Sequence, residues 1–103
     1  MVDNNLPKFG ISLRLGGINP AYDSSALQEI DSELSMRPHI LKYQNSWANT
    51  ENTEIKIYVE TEGLEPNATG LDMAEEVFEV ANAVLNSVEG IHVDVISVHT
   101  IDD

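Results

Sequence analysis

A chain of 103 residues is long enough for one compact domain with its own core, and an apolar content of 42% supports folding despite 18 acidic against five basic residues and a formal charge of −13. Cysteine is absent, which excludes disulfides and thiolate chemistry, and no uninterrupted apolar run approaches the roughly 20 residues of a membrane helix. So acidic a surface argues against direct binding of nucleic acid or anionic lipid, because both are recognised by Lys and Arg that neutralise phosphate.

The segment KFGISLRL alternates, with Phe9, Ile11, Leu13 and Leu15 on one side and Gly10, Ser12 and Arg14 on the other, the period of a half-buried strand. Gly16-Gly17 ends it. NPAYDSSALQEIDSELSMRP predicts a helix: Leu27, Ile30 and Leu34 recur at helical spacing, Asp23 caps, and Tyr22 with Leu27 forms a hydrophobic staple. Pro38 requires that helix to stop by about Arg37. HILKYQNSW, rich in β-formers, predicts a second strand with Trp47 at the edge of the core, and ANTENT is a polar connection. TEIKIYVETEG completes a hairpin, with Ile55, Ile57 and Val59 opposite Lys56, Tyr58 and Glu60.

The stretch GLDMAEEVFEVANAVLNSVEG predicts the second helix through one apolar stripe, Ala74, Val77, Phe78, Ala81, Val84, Leu85 and Val88, closed by Gly90 at C′. Asp72, Glu75 and Glu76 then lie near its positive end, where an exposed carboxylate gains about 0.3–1 kcal/mol from the helix dipole. Glu75 and Glu79 are a like-charge pair at i,i+4 with no basic residue on the helix to offset it. IHVDVISVHTI predicts the last strand, and its apolar phase shifts at Val95-Ile96, the mark of a bulge or of two buried faces.

This order predicts a single acidic α+β domain over residues 1–103 with the ferredoxin-like βαββαβ arrangement, a four-stranded antiparallel sheet with two helices on one face. Strands one and three are then central, and Ser12, Arg14, Lys56, Tyr58 and Glu60 face outward from the open side of the sheet.

Charge is divided unevenly along the chain. Residues 1–56 carry seven acids and five bases, whereas residues 57–103 carry eleven acids and no Lys or Arg. Motifs for chemistry are missing: there is no H-E-x-x-H, no calcium loop, no phosphate loop, no three-glycine dinucleotide pattern and no G-x-S-x-G elbow. No metal or cofactor is expected. An RNA-binding sheet would need a basic surface and an RNP signature, and Tyr58 is the one credible aromatic on the open face.

The expectation is therefore a cytoplasmic, non-enzymatic protein-binding module. Its acidic half would dock on a basic protein such as a nuclease or toxin, as immunity proteins, antitoxins and phage inhibitors do when carboxylates replace phosphates. Asp72, Glu75, Glu76 and Glu79 on the helix, with Glu60, Glu62 and Glu65 before it, are the expected contact residues. The alternative is a small-ligand-binding or regulatory domain that pairs as a homodimer through its open sheet face, with Arg14, Lys56 and Tyr58 at the interface.

Overall fold

A computed structural model describes residues 6–19, 24–85 and 90–101. The elements follow in the expected order: β1 (Lys8–Gly16), α1 (Ala26–Leu34), β2 (Ile40–Trp47), β3 (Glu54–Glu62), α2 (Pro66–Val84) and β4 (His92–Ile101). The strands form one antiparallel sheet in the order β2-β3-β1-β4, so β1 and β3 are central and the arrangement is ferredoxin-like. Among the described residues no helix is long and apolar enough to cross a membrane.

Strand alternation builds the core. Phe9, Ile11, Leu13 and Leu15 from β1 and Ile55, Ile57 and Val59 from β3 are buried against Ile30 and Leu34 of α1 and Met73, Val77 and Ala81 of α2. Trp47 packs half-buried on this cluster, at its edge. Both outer strands carry an irregularity. In β4, Ser97 faces Ser12 and Val95 faces Leu13, leaving Ile96 as the additional residue, 58% exposed. In β2, Ile40 faces Thr61 and Lys42 faces Glu60, so the exposed Leu41 is skipped in the same way. The phase shift at Val95-Ile96 is thus a bulge.

The second helix departs from expectation at both ends. It begins at Pro66, whose missing N–H costs nothing in the first turn, and Glu65 caps it by accepting hydrogen bonds from the backbone N–H groups of Asn67 (2.8 Å) and Ala68 (3.0 Å). Asp72, Glu75 and Glu76 therefore lie beyond the first turn of the helix, where the effect of its N-terminal dipole has fallen off, and Glu65 takes the place assigned to them. The helix ends at Val84, with Leu85 already in extended backbone, so Gly90 is not its C′ residue; Gly90 instead adopts a left-handed φ of 80° just before β4.

The buried stripe also differs from expectation and runs through Thr69, Gly70, Met73, Val77, Val80 and Ala81. Phe78, expected inside, is 38% exposed. In α1, Ser25 occupies the N-cap position, and its hydroxyl donates to the Glu29 carboxylate at 2.5 Å rather than capping a backbone group itself. Asp23, Tyr22 and Val88, the expected cap, staple and last stripe residue, lie outside the described residues.

Candidate functional site

Two surfaces concentrate charge, one on each side of the molecule. The first surrounds α2. Glu62, Glu65, Asp72 and Glu76 line a concavity of about 340 Å³ between the end of β3, the first turns of α2 and His39. Glu76 is the most enclosed of them, with its side chain 19% exposed. It accepts from Arg37 Nη1 at 2.9 Å, and His39 Nε2 lies 2.8 and 2.9 Å from its two oxygens. Glu65 is committed to the helix cap.

Glu75 and Glu79 project from the outer crest of α2, next to Asp72, and none of these three carboxylates has a hydrogen bond or ion pair among the described residues. Leu71 and Phe78 share this outer side, 67% and 38% exposed, so apolar side chains stand directly beside unpaired carboxylates. Sequence reasoning missed Leu71 and placed Phe78 in the core. The available signal was the spacing of Met73, Val77, Val80 and Ala81, an i, i+4, i+7, i+8 stripe that turns Leu71 and Phe78 away from the core.

Glu60 belongs to the other surface, the open side of the sheet. There it accepts from the Tyr58 hydroxyl at 2.8 Å and faces Lys42 across the β2–β3 pairing. Partial burial, together with the Glu60 carboxylate, raises the Tyr58 phenol above its ordinary value. The strand registers place Lys8, Arg14, Lys42 and Lys56 on this same side, four of the chain's five Lys and Arg residues. Arg14 lies directly opposite Lys56 in β3 and opposite Asp94 in β4. Glu54 accepts from Arg14 Nη1 at 3.0 Å, while Arg14 Nε is enclosed without a partner. Neither Lys42 nor Lys56 makes an ion pair among the described residues.

Two histidines of β4 lie on glycines of β1. His99 faces Gly10 and His92 faces Gly16; a Cβ at Gly10 would come within 2.4 Å of the His99 ring, and one at Gly16 within 2.6 Å of His92. The His99 ring also stacks against Tyr58 with centroids 6.1 Å apart, and His92 Nδ1 is 3.3 Å from Asp94. These histidines are seven positions apart, an odd spacing that would put them on opposite faces of a regular strand. The bulge at Ile96 restores them to one face, which is why alternation alone did not group them.

Between these side chains the open face is hollowed to a volume of about 680 Å³, with Ser12, Arg14, Gln44, Lys56, Tyr58 and Ile96 in its lining. Among the described residues no group of three or more His, Cys, Asp or Glu side chains is arranged to hold a metal ion. Of the ten residues expected at sites, Glu62, Glu65, Asp72 and Glu76 thus converge on one concavity, Glu75 and Glu79 flank it, and Arg14, Lys56, Tyr58 and Glu60 sit on the opposite face. Comparison with known proteins finds no match to a family model, a curated protein or a solved structure.

Proposed function

We propose that the chain is a non-enzymatic acidic protein-binding module of the cytoplasm, an inhibitor that docks the outer side of α2 on a basic nuclease or another nucleic-acid-binding protein. The observation that supports this reading is the pairing of exposed Leu71 and Phe78 with Asp72, Glu75 and Glu79, carboxylates that have no partner among the described residues. Apolar anchors beside charged groups follow the anatomy of protein interfaces, in which anchors supply affinity and surrounding charge selects the partner and speeds encounter. A partner groove built to hold phosphates would meet carboxylates here, as it does with immunity proteins, antitoxins and phage inhibitors. The lack of cysteine fits a reducing compartment.

A pull-down is expected to recover a basic protein from which nucleic acid displaces the chain. Neutralising Asp72, Glu75 and Glu79 together should lower the association rate and flatten its salt dependence, since exposed charges act over about 8 Å at physiological ionic strength. Phe78→Ala should speed dissociation by about tenfold, the effect of losing an interface anchor. If neither rate changes, the acidity serves solubility; capture of neutral or acidic partners alone rejects the nucleic-acid-groove reading.

A further inference from the structure

The open sheet face poses a problem of charge placement that the docking of α2 does not address. Eighteen carboxylates are available in this chain, yet Arg14 and Lys56 stand directly opposite each other on adjacent central strands. Like charges in that position destabilise a sheet. The nearby carboxylates offset this only in part: Glu54 holds Arg14 through Nη1 alone, Asp94 lies against His92, and Glu60 accepts from Tyr58. Lys56 has no counter-ion among the described residues, and the enclosed Arg14 Nε shows that Glu54 does not satisfy the guanidinium completely.

We infer that the hollow above Arg14 and Lys56 is a binding site for a small oxyanion, the phosphate or carboxylate group of a small molecule. Its volume of about 680 Å³ is of the size that accepts small molecules. The two cations supply charge-assisted hydrogen bonds, and an anion between them converts their repulsion into a shared attraction. Ser12, Gln44 and Ser46 line the hollow with neutral donors, Asp31 of α1 is the one carboxylate among the described residues of its lining and bounds the space left for the anion, and Glu54 fixes the guanidinium by holding one end. Tyr58, braced by His99, offers a ring face to the remainder of the ligand, and Ile96, pushed outward by the bulge, forms an apolar part of the wall. The site is independent of α2, which packs on the other side of the sheet.

The test titrates inorganic phosphate and, separately, succinate into the full chain at constant ionic strength balanced with chloride, following backbone amide shifts. Saturable shifts centred on Ser12, Ser46 and Lys56 are expected with at least one probe. Lys56→Gln should weaken that binding by about tenfold or more, the consequence of losing one charge-assisted hydrogen bond. The same variant should melt no lower than the unmutated chain without probe, because a like-charge contact has been removed. The double variant Glu75→Gln, Glu79→Gln should bind the probe unchanged. Saturation by phosphate alone assigns a phosphoryl ligand, and saturation by succinate alone a carboxylate. Failure of both probes to saturate, or undiminished binding by Lys56→Gln, overturns the proposal and leaves the docking of α2 untouched.

Discussion

Glu65 and Glu75 are the same chemical group, ten residues apart on one segment, and their surroundings give them different work. Glu65 accepts two backbone N–H groups that otherwise have no intrahelical partner, whereas Glu75 touches no polar group among the described residues. Glu65→Ala should therefore cost about 0.5–2 kcal/mol in denaturant unfolding, and Glu75→Ala should stay within about 0.5 kcal/mol of the unmutated chain. Equal losses would remove the capping role. Glu76 differs again, being held between Arg37 and His39, about 40 positions earlier in sequence. Composition identifies all of these residues as acidic. Assigning each its role required partners that the fold brings in from α1's end and from the loop before β2, and no local pattern announces such distant pairs.

The bulge in β4 sets the outward face of an entire element. Without Ile96, the run His92-Val93-Asp94-Val95-Ser97-Val98-His99 alternates without interruption, polar outward and valine inward, and would pair with β1 as a regular ladder. Deletion of Ile96 should therefore leave the urea midpoint nearly unchanged, within about 1 kcal/mol in stability, while removing one wall of the open-face hollow. Deletion of Tyr58 from the uninterrupted pairing of β3 with β1 should instead abolish cooperative unfolding, since one half of that central strand would turn its charged side chains toward the core. A bulge residue whose loss is as damaging as a core deletion would contradict this account.

At the scale of elements, the sequence was most legible where the period was cleanest. The order of elements identified β1 and β3 as the central strands, and their alternation identified the outward positions of Arg14, Lys56 and Tyr58. The start of α2 was harder to read because Glu65 is an unusual N-cap and Asn67, Thr69 and Gly70 look like loop residues; tertiary packing of Gly70 against β4, where a Cβ would meet Val98 at 2.9 Å, outweighs their weak helix propensity. Running the stripe through Phe78 and not through Met73 and Val80 moved Phe78 inward and hid Leu71, and with them the apolar part of the candidate interface.

For the molecule as a whole, a charge of −13 on 103 residues is a source of self-repulsion. The melting temperature should rise as sodium chloride screens that repulsion, and the rise should be smaller for a variant neutralised at Asp72, Glu75 and Glu79. A melting temperature indifferent to salt would show that the carboxylates are too far apart to oppose one another.

The division of charge between the two sides has a further consequence. Among the described residues, the side of α2 carries Asp72, Glu75 and Glu79 without counter-ions while the sheet side carries Lys42 and Lys56 without theirs, so these groups set up an electric dipole through the thickness of the sheet. Such a dipole experiences a torque in an external field before any atoms touch. A positively charged body turns α2 toward itself, and a small anion is drawn to the opposite side. The orientational search that slows most protein encounters is thereby shortened, and the sign of whatever the chain approaches decides which face arrives first.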